Sequence, residues 1–200
     1  MDYRQYAEQY ALNYPEYRAS IDNFLSQNSD NFTEQEKQYL PYYKMNVIRM
    51  NRLDKTVVLQ DDLLSALAGL SSNYTALVIT EGWCGDAAQN VPVMNAMAKA
   101  SAGKINLRCI PRDKYPELIA QYLTNGSKAI PKLLFINNDW QVAATWGPRP
   151  AVLQDLYLNH WKQDKNLTIE KAVELLQGWY AKDKTLHIQQ ELAGIIRSLK

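Results

Sequence analysis

The order of apolar and polar positions divides the chain into three stretches. The first reads as helix after helix: one from Asp2 to about Leu12, a second led by Pro15 in its first turn and running to Leu25, and a third that begins at Thr33. Thr33 and Glu36 have the S/T-x-x-E spacing of a capping box, in which side chains and backbone amides satisfy one another ahead of the run EKQYLPYYKMNVIRMN. Pro41 lacks the amide that a helix interior needs, so it is expected to kink or split this third helix.

From Val57 the texture changes. The pattern predicts a helix over Asp61 to Leu70, a strand over Thr75 to Thr80, a helix over Ala87 to Ala100, a strand over Lys104 to Ile110 and a helix over Pro116 to Leu123. Two runs, Lys132 to Ile136 and Gln141 to Trp146, then flank the turn residues Asn137-Asn138-Asp139 and read as an antiparallel hairpin. The chain returns to helix over Pro150 to Trp161 and again from Thr168, which stands as an N-cap, with a break near Lys182. Strands alternating with helices predict a right-handed βαβ unit with parallel strands, and the hairpin adds antiparallel strands to the same sheet.

Composition narrows this picture. Two hundred residues, 46% of them hydrophobic, suffice for one substantial core with a small appendage. With 22 basic and 21 acidic side chains and no basic stripe, neither nucleic acid nor an anionic membrane is expected as the main partner. The N-terminal MDYRQYAEQYALNYPEY has no apolar core of a leader, and the aliphatic stretch Ala76 to Ile79 is too short to span a bilayer, so a cytoplasmic protein is expected. Two cysteines make no disulfide framework, and His160 and His187 lie far from both in sequence, so neither a metal site nor a cofactor is predicted. The thirteen tyrosines and five tryptophans are read as helix-packing residues, and Arg112-Asp113 and Arg149 as solvated or locally paired, with Arg149 placed near the site described next.

Candidate chemistry centres on Trp83-Cys84-Gly85-Asp86-Ala87, where the apolar strand TALVIT gives way to a helix. A sulfur at a helix N-terminus faces unpaired amides and the positive end of the helix dipole, worth ~0.3–1 kcal/mol and up to ~2 when partly buried, or about one pKa unit. The turn is expected to leave Cys84 partly exposed, while an ionised Asp86 opposes its thiolate. Cys109 alternates with Ile105 and Leu107 and is read as a core cysteine. Further on, Ala129-Ile130-Pro131 precedes the apolar run KLLFI, and Trp146-Gly147 closes the hairpin.

These motifs resemble the thioredoxin superfamily, and within it a bacterial branch with W-C-G-D where most members have W-C-G-P. The resemblance runs from near Val57 to near Trp161 and implies a three-layer α/β/α fold with a mixed central sheet. The expected organisation is an N-terminal helical extension over 1–56, a thioredoxin-like domain over 57–162 and a C-terminal helical extension over 163–200 packed on the same core. The resemblance further implies that Cys84 is the reacting thiol, that Pro131 is a cis-proline, and that the backbone of Ile130 pairs with an extended substrate segment. Trp83, Gly85, Asp86, Ala87, Ile130 and Pro131 are then expected to form a groove for a peptide or glutathione.

Two departures qualify the implied activity. Ala87 occupies the place of the second cysteine, so no thiol within the motif resolves a mixed disulfide, and Val78 stands where the family has a buried carboxylate, six residues before the first cysteine. Two readings follow: monothiol exchange through Cys84 with protein or low-molecular-weight thiols such as glutathione, or a redox-inactive module that uses the cis-proline groove and its helical extensions to bind. Iron–sulfur ligation by a single cysteine ranks third, because Gly85-Asp86-Ala87 does not match the C-G-F-S pattern of monothiol glutaredoxins. Substrate, partner and oligomeric state are open at this stage.

Overall fold

In the computed structural model, which describes residues 1–199, a four-stranded sheet lies among nine α-helical segments. The chain order is α1 (Tyr3–Gln5), α2 (Tyr14–Ser26), α3 (Glu34–Thr56), α4 (Asp61–Gly69), β1 (Tyr74–Thr80), α5 (Gly85–Ala100), β2 (Ile105–Pro111), α6 (Pro116–Ile119), β3 (Lys132–Ile136), β4 (Val142–Trp146), α7 (Ala151–Asp155), α8 (Ile169–Asp183) and α9 (Leu186–Ser198). The strand order is β2-β1-β3-β4. β1 runs parallel to β2, with Tyr74 beside Ile105 and Thr80 beside Pro111, while β3 is antiparallel to both β1 and β4.

Burial along the strands explains why they read as continuous apolar runs. Every residue of β3 is buried, and so is every residue of β1 except Thr75, which requires helices on both faces of the sheet. β4 alternates half-buried and exposed positions, as an edge strand does. The opposite edge, β2, gains a single extra bridge: Leu12 and Cys109 exchange backbone hydrogen bonds at 2.8 and 2.7 Å. α5 packs on the sheet and is in turn surrounded by α3, α4, α8 and α9.

The helix starts follow local chemistry. The box at Thr33 and Glu36 forms in both directions, and a second one, Asn13 with Glu16, starts α2. Thr168 caps α8 through the Lys171 amide, and α8 ends where Lys184 and Thr185 both take left-handed backbone conformations. Of the kink or split expected at Pro41, the split does not occur: α3 runs through it as one helix. Its outer turns carry that proline, while Asn46, Met50 and Leu53 bury its inner half, and this packing outweighs the loss of about 3 kcal/mol from one missing bond and a ring clash. The first and seventh helices pass into π-turns, over Tyr6–Tyr10 and Leu156–His160. α6 is shorter than predicted, because the chain turns back at Asn125-Gly126, with Thr124 and Ser127 bonding each other.

Candidate functional site

β1 delivers the chain to a turn at its C-terminal end, and α5 starts at Gly85 with Cys84 as its N-cap. The register Ile79 beside Lys132 places the segment before β3 across from this turn. There the Ile130–Pro131 peptide bond is cis, and the Ile130 carbonyl accepts the Cys84 thiol at 3.3 Å. The Cys84 sulfur accepts the Ala87 amide at 3.4 Å. Behind Pro131, Gly147 has φ +111°, and a Cβ there would come inside 3.0 Å of the Pro131 carbonyl oxygen. Only glycine lets the end of β4 approach that closely.

Three sequence-based expectations are corrected by this geometry. Cys84 is buried, with 7% of its surface accessible, because the helical extensions close over the turn. Burial pushes its thiol up to about 12, and the charge of Asp86 adds to the effect. The Ala87 and Asp86 amides and the Arg149 guanidinium oppose the rise without cancelling it. The roughly one unit assigned to the helix dipole is thus outweighed by desolvation. Ala87, Ile130 and Pro131 are likewise buried, so they form no open groove with Trp83 and Gly85.

What opens on the turn is a cavity of about 610 Å³, bordered by Trp83, Cys84, Gly85 and Asp86. Its other walls come from α3 and α8. α3 supplies Gln38, Tyr39, Tyr42 and Arg49; α8 supplies Ile169, Val173, Leu176 and Gln177. α3 is held against the turn by fully buried Asn46, whose amide donates to the Gly82 carbonyl at 2.9 Å. Gly82 has no room for a Cβ, because Tyr43 and Ile21 pack against it. Tyr39 stacks on Trp83 with ring centroids 4.6 Å apart, and the Arg112 guanidinium lies 4.8 Å from the Trp83 ring while pairing with Asp113.

α8 is held by a buried polar cluster that the sequence reading missed. Asp86 pairs with Arg149 at 2.6 Å and accepts the Tyr180 hydroxyl at 2.8 Å; Asn90 donates to that hydroxyl at 2.9 Å. Arg149, read from the sequence as solvated or locally paired and near the site, is paired there with Asp86; it lies over the Tyr157 ring and is largely buried. Burial pushes the Asp86 carboxyl up, and Arg149 and Tyr180 work against that rise. A small second core of Leu153, Leu176 and Tyr180 sits behind the cluster. The signal available in the sequence was the spacing of Arg149 two residues after Gly147; nothing local announced Tyr180.

A second titratable group was also missed. Glu81, at the start of the turn, accepts the Asp113 amide at 2.8 Å, and burial raises its carboxyl to about 7. Val78 itself is fully buried in β1. Cys109, beside Val78 in the sheet, is free and buried, as is Cys84, and desolvation pushes its thiol up to about 12. Among the described residues no cluster of histidine, cysteine and carboxylate side chains suits a metal ion, and no helix is long and apolar enough to cross a membrane.

Comparison with known proteins agrees with the fold. A family model described as Thioredoxin matches residues 33–168. The chain belongs to the thioredoxin family. The match takes in α3, so the helix that walls the cavity lies within the thioredoxin-family segment although the motif resemblance began near Val57. Two solved structures are similar at the level of fold. One is an HIV epitope-scaffold, with TM-score 0.56 and 17% identity over 94% of this chain and 100% of that one. The other is a protein of unknown function from Pseudomonas aeruginosa, with TM-score 0.54 and 17% identity over 92% of this chain and 97% of that one. No curated protein matches.

Proposed function

We propose that this thioredoxin-family protein is a binding module in which the Trp83-Cys84-Gly85-Asp86 turn is the floor of a ligand cavity walled by its own helical extensions. The observation that carries this reading is the state of Cys84: it faces the cavity as a buried thiol raised to about 12. At neutral pH such a thiol is almost wholly protonated, more so than an unperturbed cysteine. Thiolate is the species that attacks a disulfide, so exchange is slow, and Ala87 leaves no thiol in the motif to release a mixed disulfide. The cavity volume of about 610 Å³ falls in the range of small-molecule sites.

Monothiol exchange with protein thiols or glutathione is the second reading. It is favoured by the position of the Cys84 sulfur on the cavity wall and at the α5 N-terminus, where the Ala87 amide points at it. Iodoacetamide labelling at neutral pH, located by peptide mass mapping, separates the two. Cys84 is expected to label more slowly than a cysteine in an unstructured peptide and to acquire no glutathione adduct from glutathione disulfide. Ala87→Cys is expected to stay inactive in dithiothreitol-driven insulin reduction. Labelling faster than the peptide, or a glutathione adduct at Cys84, would transfer the proposal to the exchange reading.

A further inference from the structure

Among the described residues, the cavity lining has one charged side chain with no oppositely charged partner. Arg49 on α3 lines it beside the cysteine turn, half-buried, and its one hydrogen bond within the protein is to the Asn46 side chain at 2.8 Å. No carboxylate pairs with it among the described residues, whereas Arg18, Arg112, Arg149 and Arg197 each have an acidic partner. Desolvation and the neighbouring Arg52 both act against its charge. The one carboxylate on the cavity wall, Asp86, is already engaged by Arg149 and Tyr180.

Most of the remaining lining is apolar, with Gln38 and Gln177 as its uncharged polar side chains. Tyr39 and Trp83 present stacked rings, and Ile169, Val173 and Leu176 present aliphatic side chains. Ile169 is 72% exposed at the mouth, and Gln177 reaches Gly85, where a Cβ would come within 2.9 Å of its amide nitrogen. A half-buried guanidinium without a carboxylate partner in a largely apolar cavity is complementary to an anion carried on an apolar body, because such a ligand supplies the counter-charge and covers the aromatic and aliphatic walls.

We infer that the cavity takes a small organic anion, a single carboxylate on an apolar body, with Arg49 receiving the carboxylate and the Trp83 and α8 walls covering the body. This rests on the binding-module reading and names the ligand class for the same cavity. The arrangement differs from peptide capture along Ile130 and Pro131, since both are buried and neither borders the cavity.

Two matched probe pairs test it: decanoate against decanamide for an aliphatic body, and indole-3-acetate against indole-3-acetamide for an aromatic one. Binding is followed by isothermal calorimetry with the 200-residue chain. In at least one pair the acid is expected to bind about tenfold or more tightly than the amide, the scale of a charge-assisted hydrogen bond in a partly desolvated site. Arg49→Gln is expected to remove that preference, acid and amide then binding within about twofold of each other, and Arg49→Lys to restore part of it. Thermal melts of each variant establish that it is folded; if Arg49→Gln melts early, the comparison is made with Arg49→Lys and with the salt dependence of the wild-type preference. Equal binding of acid and amide, or a preference that survives Arg49→Gln, overturns the anion assignment while the cavity reading stands. Failure of all four probes to bind at millimolar concentration overturns both.

Discussion

Replacing Glu81 by Gln is a sharp test of the electrostatics around the cysteine turn. Burial raises the Glu81 carboxyl to about 7, against an unfolded value of about 4.3. Between those two values the native protein holds a proton that the unfolded chain has released, so unfolding takes up none and folding must capture one. Stability therefore falls as pH rises through this window, by about 1.4 kcal/mol per unit, and levels off above about 7. Integrated from pH 5 to pH 8, the loss from this one group is about 2–3 kcal/mol. Gln carries no charge at either pH and keeps an oxygen to accept the Asp113 amide. The variant is thus expected to be more stable than wild type at pH 8, and its advantage should shrink by about 2–3 kcal/mol at pH 5. Urea unfolding followed by tryptophan fluorescence at the two pH values measures the difference, and comparing variant with wild type cancels the other titrating groups. An advantage that does not change with pH, or a variant that is less stable at pH 8, would refute the reasoning. Carboxyl-carbon NMR supplies an independent check, since one glutamate should titrate near neutrality.

Two further substitutions probe the supports of the site. Gly147→Ala puts a Cβ against the Pro131 carbonyl at a backbone angle of φ +111°, and should cost more than about 2 kcal/mol in chemical denaturation; Gly178→Ala in the middle of α8, where nothing lies within 4 Å, should instead stabilise by about 0.5–1 kcal/mol. Tyr180→Phe removes the hydroxyl that donates to Asp86 and accepts from Asn90, whose carbonyl oxygen already lacks a partner, so a loss of about 1–3 kcal/mol is expected in the same assay, and an unchanged midpoint would mean that the cluster does not hold α8.

The helical extensions alter what the thioredoxin-family turn can do. In an open turn the α5 N-terminus would lower the Cys84 thiol by about one unit. With α3 and α8 laid over it, the sulfur loses its water, and desolvation reverses the sign of the shift. The same two helices create a largely apolar cavity where the resemblance implied a groove for a peptide or glutathione. Asp86 contributes to both outcomes: its charge raises the thiol, and its bonds to Arg149 and Tyr180 fasten α8 in place.

How much of this was legible depended on the range of the interactions involved. The capping box at Thr33, the N-cap at Thr168, the apolar strands and the hairpin around Asn137-Asn138-Asp139 are set by residues within a few positions of one another, and the sequence alone located them to within a residue or two. The core position of Cys109 was legible for the same reason, from its alternation with Ile105 and Leu107. Tertiary structure decided everything that depends on distant segments meeting. Asp86 lies 63 residues from Arg149 and 94 from Tyr180, and no periodicity links them. The burial of Cys84, the near-neutral carboxyl of Glu81 and the unpaired charge of Arg49 follow from which helices cover the turn, and solvent exclusion is a property of the packed whole that no local pattern encodes.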